Sequence, residues 1–142
     1  MRVRVVAVGK LRDRGLEALC EEFRARAAAF FPVAVDELRS LAALRKHLEE
    51  PGIVHVLLDE RGWQPDTRAL ADWFDNLRAD GARALHLYLG DADGFDDADR
   101  ARAARVLSLS RLTLPHRLAR LVVLEQIYRV ASLLAGHPYH RE

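Results

Sequence analysis

The stretch Leu107-Ser-Leu-Ser-Arg-Leu-Thr-Leu-Pro-His116 decides how this chain is read. Leu107 and Leu109, then Leu112 and Leu114, alternate with Ser, Arg and Thr, which is the period of a half-buried strand. Pro115 ends the alternation, and a long apolar helix is predicted over about residues 117–135. Between strand and helix the chain must bend, leaving backbone N–H and C=O groups outside any ladder. Such groups need partners wherever they are buried, and a bound small molecule is one source. The residues that follow the helix, His137-Pro-Tyr-His-Arg-Glu142, hold a dense polar set. Loop, helix and tail are therefore expected to form the working part of the molecule.

Upstream, strand-like and helix-like segments alternate. Residues 3–8 are β-branched and end at Gly9, as a buried strand does. A helix is predicted from about Arg14, with Leu16, Leu19, Cys20, Phe23, Ala27, Phe30 and Phe31 on one face and Pro32 as its stop. A second strand follows to Leu38. Ser40 is placed to cap a short helix that Pro51 and Gly52 end. Residues 53–58 form a near-continuous apolar strand, as expected when both sheet faces are covered. Asp66 can cap a third helix, with Gly81 just past its end, and residues 84–89 form the fourth strand. Asp96 begins a helix running to about Arg105. This order predicts an α/β fold: one domain over residues 1–142, a mostly parallel sheet, helices on both faces. Ligands of such sheets bind beyond the C-terminal strand ends. That singles out three loops, at residues 58–62, 90–94 and 110–115.

Composition narrows the function classes. The chain has 142 residues, enough for one real core. Its formal net charge of +1 neither requires nor excludes a nucleic-acid partner. Cys20 is the only cysteine, so no intrachain disulfide forms, and a cysteine in an apolar helical pattern reads as a small buried hydrophobe. No long apolar segment opens the chain, and Arg120, Glu125 and Arg129 interrupt the most apolar run, so a cytoplasmic location is the expectation.

The glycine patterns of dinucleotide and NTP sites are missing. Gly90-Asp-Ala-Asp-Gly94 reads either as a connecting turn or as a loop that lets a ligand approach the backbone. Asp91, Asp93, Asp96, Asp97 and Asp99 invite a metal reading, but no Glu closes a Ca²⁺ loop, and acids at a helix start complement its dipole. No metal site is expected. His47, His55 and His86 lie in helix or strand patterns and read as structural. The last helix is apolar on more than one side, which favours packing against a second copy of the chain. The tail reads equally as a frayed end or as a functional segment: histidine moves protons near neutral pH, and arginine's planar fork holds anions.

These residues together resemble the RlmH family of the SPOUT superfamily, methyltransferases acting on a pseudouridine N3 of large-subunit ribosomal RNA. The matching pieces are VAVGK (residues 6–10), Leu58-Asp59 with Gly62, a glycine loop after the fourth strand, LSLSRLTLPH (107–116), LEQIYR (124–129) and the terminal HPYHRE. The resemblance spans the chain and is most specific from Leu107 onward. It implies a SPOUT-type α/β knot, with a C-terminal trefoil knot through which the last helix is threaded. It also implies S-adenosylmethionine held by Leu58, Gly90, Leu109, Ser110, Arg111, Leu112, Thr113 and Leu114. It implies a homodimer acting on 23S rRNA, and a small chain of near-neutral charge is expected to need the surface of the assembled ribosome to find one nucleotide. One departure stands out. The family usually carries Gly-Gly-Pro or Gly-Gly-Ser here, then one more residue and Gly. Asp91 replaces the second glycine and is expected to restrict backbone approach to the donor's methionine part.

The implied reaction is in-line transfer of a methyl group to an imide nitrogen that must first lose its proton. His140 is the leading base, with His116 beside the cofactor loop as a second candidate. Arg141 is placed to stabilise charge on the uracil ring, and Tyr139 to stack on it or donate a hydrogen bond. Two other readings remain: a catalytically inactive RNA-binding relative, and a flavodoxin-like signalling module with Asp59 as phosphoacceptor.

Overall fold

The computed structural model describes residues 1–137 and Tyr139. Ten elements follow one another as β1 (Arg2–Val8), α1 (Arg14–Ala27), β2 (Val33–Leu38), α2 (Leu41–His47), β3 (Val54–Trp63), α3 (Thr67–Ala79), β4 (Ala84–Leu89), α4 (Asp97–Arg102), β5 (Arg105–Leu107) and α5 (His116–Leu134). The five strands form one sheet in the order β2-β1-β4-β3-β5, and every pairing is parallel. Parallel neighbours require crossovers that lay helices on the faces. Alternation along the strands shows the result. Val3, Val5, Ala7, Val56, Leu85 and Leu87 point into a core shared with Cys20, Phe74, Val123, Leu124 and Ile127 of α1, α3 and α5. Val6, Leu57 and Tyr88 point the other way, onto Leu44 and Leu48 of α2 and its flank, and onto Phe95 just before α4. Helices on both faces are thus observed as expected.

The caps read from sequence are in place. Ser40 accepts from the Ala43 N–H, and Asp66 from that of Ala69. Gly81 takes φ +86°, the left-handed geometry glycine adopts without a Cβ clash, just beyond α3.

Four boundaries differ from expectation. α1 stops at Ala27, and tighter turns carry residues 28–31, because Phe31 precedes Pro32 and is driven out of helical geometry. α4 ends at Arg102, so Arg105 is strand. β3 runs past Leu58 to Trp63 through an irregularity that pairs Trp63 with Leu107. The predicted fifth strand is displaced: β5 is residues 105–107, and the alternating stretch from Ser108 on is loop. There serine side chains replace the ladder, since Ser108 Oγ donates to the Ser110 carbonyl and Ser110 Oγ accepts from the Leu112 N–H. Without a ladder to bury it, Leu112 is 74% exposed.

α5 lies across α1 and α3 with Arg120, Val123, Leu124, Ile127, Tyr128, Val130, Ala131 and Ser132 buried. Gly136 (φ +72°) ends it. His137 N–H donates to the Ser132 carbonyl and Gly136 N–H to that of Leu133, the paired bonds of a Schellman cap. Among the described residues no helix is long and apolar enough to cross a membrane.

The histidines of the sheet are structural, as expected. His55 sits between the Tyr88 hydroxyl at 2.7 Å and the Glu50 carbonyl at 2.8 Å, with His86 3.3 Å from the same hydroxyl. Burial, followed by Arg4 and His55 nearby, pushes the His86 pKa down to about 4. The folded state therefore binds fewer protons than the unfolded one as pH falls from about 6.5 towards 4, so stability present above that window is lost within it. His86→Leu is expected to flatten the dependence of the urea midpoint on pH between 6.5 and 4, read by equilibrium denaturation at several pH values.

Candidate active site

The parallel sheet delivers the ends of β3, β4 and β5 to the same edge. There the loops after them, with the first turn of α5, enclose a cavity of about 350 Å³. Leu58, Leu89, Leu109, Leu112 and Leu114 supply its apolar wall. Asp59, Glu60, Arg61, Asp91, Asp93 and Arg100 line its polar side. An apolar cleft with a few placed polar groups has the character of a small-molecule site, and its size is at the lower end of such sites.

Two glycines make the convergence possible. A Cβ on Gly62 would lie 2.5 Å from the carbonyl carbon and oxygen of Val106 and 2.7 Å from the Leu107 nitrogen. Only glycine lets β3 run that close beside β5. At Gly90 a Cβ would stand 3.2 Å from the Phe95 ring, which closes the floor of the loop.

Arg100 ties the β3 and β4 loops together. It donates to Asp59 at 3.1 Å, to the Phe95 carbonyl at 2.6 Å and to Asp97. Its hydrogen bond to Asp97 holds that carboxyl below its ordinary pKa. Asp59 also accepts from the Arg61 N–H, which shapes the turn. The acidic run is explained the same way. Asp96 and Asp99 form a reciprocal capping box on α4, and the Arg45 guanidinium on Asp99 holds its carboxyl well below the usual carboxylate range. Among the described residues no group of three or more potential ligands is placed to hold a metal.

The structure brings Leu58, Gly90, Leu109, Ser110, Leu112, Thr113 and Leu114 to one cavity together with His116, but leaves Arg111 exposed outside its lining. Asp91 needs no left-handed backbone: among the described residues Arg12 is the non-glycine residue with positive φ. The Asp91 carboxylate accepts from the Asp93 N–H and closes the turn itself. The expected restriction by its Cβ is therefore not a conformational one.

Tyr139 is elsewhere. Beyond the Gly136 cap Tyr139 lies against α5, its ring tilted by 46° and 4.3 Å from that of Tyr128, and its hydroxyl donates to Glu125 at 3.2 Å. Burial, then the Glu125 charge, raises its pKa, so it is a donor and not a base at neutral pH. Glu125 is nine residues along α5 from His116, about 13 Å on the helix axis. Within one chain, Tyr139 and the cavity do not meet. His140 and Arg141 lie outside the described residues.

Ser108, Arg100 and Ala119 line the cavity without having been singled out as site residues. Arg100 carries no sequence signal, because its Asp59 partner is 41 residues away. Ser108 lies inside the very motif that points to the site, and its burial and its bond from Gln64 are tertiary facts.

Comparison with known proteins places this geometry. The sequence model described as "Predicted SPOUT methyltransferase" matches residues 1–140. Ribosomal RNA large subunit methyltransferase H of Agrobacterium fabrum is 39% identical over 99% of both chains, and that of Gloeobacter violaceus is 41% identical, again over 99% of both. The chain belongs to the ribosomal RNA large subunit methyltransferase H family of SPOUT methyltransferases. Its counterpart in Thiobacillus denitrificans is 47% identical over 76% of this chain and 65% of that one. The crystal structure of a probable methyltransferase from Bordetella pertussis Tohama I shares the fold, with a TM-score of 0.54 at 13% identity over 92% of this chain and 96% of the other. Family membership sets aside the signalling-module reading of Asp59, whose side chain is paired with Arg100 and 11% exposed.

Gly62→Ala is expected to cost about 1–3 kcal/mol, the usual range for overpacking, because the obstacle is backbone and not a movable side chain. Urea denaturation of the variant beside wild type measures it.

Proposed function

We propose that this chain transfers a methyl group from S-adenosylmethionine to N3 of a pseudouridine in 23S ribosomal RNA, on the assembled large subunit and as a homodimer. The observation that carries the proposal is the single cavity built from the three loops that the family resemblance names as its cofactor site.

The residues present fit that donor. Leu58, Leu89, Leu109 and Leu114 offer a wall for a planar purine. Asp91, Asp93 and Glu60 suit a cationic amino-acid end. α5 begins at His116 with no side-chain cap, leaving first-turn N–H groups at the cavity edge for a carboxylate. S-adenosylmethionine, when bound, supplies an activated methyl on a positively charged sulfur. The protein's tasks are then to align two reactants and to remove the N3 proton. His116 borders the cavity and is a candidate for that proton. His140 and Arg141 are assigned base and charge-stabilising roles, with Tyr139 as a hydrogen-bond donor.

The fold-back of Tyr139 supports a two-chain site. Tyr139 held against mid-α5 is far from its own cavity, and a second chain packed on α5 would offer it a neighbour's. Leu118 is 43% exposed and Leu121 and Val122 are half-buried along α5, an apolar strip that a partner helix would cover. Threading of α5 as the family's knot belongs to the same reading.

Calorimetry with S-adenosylmethionine, followed by single-turnover methylation of large ribosomal subunits, tests the proposal. Wild type is expected to bind the donor and to label one pseudouridine at N3, located by mass spectrometry. His140→Ala and Arg141→Ala are expected to slow transfer by at least ~100-fold while donor binding persists. Wild-type rates in both variants would remove the tail from the mechanism, and no donor binding by wild type would remove the activity. Leu118→Asp is expected to shift the mass measured by light scattering from dimer to monomer.

A further inference from the structure

The loop between β1 and α1 is held by one buried arginine, yet it lies outside the cavity. Arg120 of α5, 7% exposed, donates to the Gly9 carbonyl at 3.0 Å and pairs with Glu37 at 2.5 Å. Glu37 in turn accepts from the Leu11 N–H at 3.0 Å, and Leu11 is buried. Gly9 donates to the Leu38 carbonyl, which joins the loop to the end of β2. Burying the Arg120 guanidinium costs desolvation that an apolar side chain would avoid, and the partly exposed Glu37 carboxylate and the Gly9 carbonyl offset that cost only while the loop keeps this geometry.

What this clamp presents is positive charge. Lys10, Arg12 and Arg14 alternate with the anchored Leu11 and the helix cap Asp13, and all three are exposed. Arg12 holds φ +55°, a left-handed backbone that is unfavourable for a residue with a Cβ. Arg14 opens α1, where the helix dipole disfavours a cation. Arg39 follows β2, directly beside Gly9. Among the described residues none of these four cations pairs with a carboxylate. Two of them thus sit where the local backbone is unfavourable to them: glycine at position 12 and a neutral residue at position 14 would be at least as stable.

The position of the loop relative to the cavity is set by one helix. His116 and Ala119 of α5 line the cavity, and Arg120, the next residue, grips Gly9. The cationic loop is therefore within about one helical turn of the cavity along α5, on the same edge of the sheet. Exposed Arg117, on the first turn of α5, lies on that edge too.

We propose that Lys10, Arg12, Arg14 and Arg39 form a rigid phosphate-binding surface, clamped to α5 by Arg120 and Glu37, that docks the RNA backbone flanking the target nucleotide. This rests on the reading above that the substrate is ribosomal RNA, and it assigns docking to residues outside the cavity. Cations that neutralise phosphates release counterions, so the contribution of such a surface declines steeply with salt. A pre-set loop spends little ordering entropy when it binds.

The test compares wild type, the triple variant Lys10→Ala/Arg12→Ala/Arg39→Ala, and Arg12→Gly. Methyl transfer to large subunits, donor calorimetry, thermal unfolding and salt-dependent binding to large subunits and to naked large-subunit rRNA are measured for each. The triple variant is expected to raise KM for subunits by about tenfold or more and to lower the log–log salt slope of rRNA binding by about 2, with kcat and donor affinity unchanged. Arg12→Gly is expected to raise KM several-fold while unfolding no earlier than wild type, because glycine accepts φ +55° freely. A purely structural arginine would instead lower the unfolding temperature and leave the salt slope alone. Unchanged KM and slope in the triple variant overturn the proposal. So does weakened binding to intact subunits with undiminished binding to naked rRNA, which would assign the surface to a ribosomal protein. Should wild type methylate no ribosomal particle, the activity assigned above fails by itself, and the surface is still judged by rRNA binding: a slope lost in the triple variant supports it, and no difference overturns it.

Discussion

The contact on which the molecule depends is the approach of Gly62 to the backbone of Val106 and Leu107. β5 has three residues and sits at the sheet edge, so it has little pairing with which to hold its own loop in place. The extension of β3 beyond Leu58 provides the rest. Trp63 pairs with Leu107 and its carbonyl accepts from the Ser108 N–H at 2.7 Å. A side chain at Gly62 would push the strands apart and take the 108–114 loop away from those after β3 and β4. On the outside, Arg105 lies 3.8 Å from the centroid of the Trp63 ring, and Trp73 closes against it, covering the join with a cation–π contact.

Charge is used here mainly as fastening. Arg100 joins the β3 loop to the start of α4, Arg45 joins α2 to the α4 capping box, and Arg120 joins α5 to the β1 and β2 ends. Each links segments distant in sequence, and each has a partner sheltered from solvent or is sheltered itself. Their common effect is to fix loops at one edge of the sheet. Exposed pairs such as Arg26–Glu22 on α1 have no such consequence and contribute little, as is usual for surface ion pairs. Arg61, Arg111 and Arg117 stay exposed around the same edge. A site acting on a polyanion needs this division between arginines consumed in fastening and arginines left available.

The tail shows how a local motif and a global arrangement differ. Gly136 makes the helix stop legible in the sequence, and with the stop comes a reversal of the chain. Nothing in HPYHRE says that the reversal sets Tyr139 between Tyr128, Arg129 and Glu125. That arrangement separates Tyr139 from the cavity of its own chain and gives this one residue an ordered packing position.

The sequence by itself determined the order of elements, the parallel sheet, the helix caps and the three loops that line the cavity. All of these follow from short-range rules: hydrophobic period, glycine and proline placement, and side chains that bond the backbone within a few positions. It also identified the family, through a motif whose specificity lies in order and spacing. It misjudged the stretch from Leu107 to Leu114, where leucine alternation imitates a strand. Whether alternation becomes a strand depends on a neighbour to pair with, and the free edge beyond β5 offers none, so serine side chains take over the backbone bonds. The tertiary structure alone decided that Gly62 must be bare, that Arg100 closes the site from 41 residues away, and that Arg120 holds the cationic loop. These are matters of proximity between remote segments, and proximity exists only once the sheet has brought its strand ends to one side.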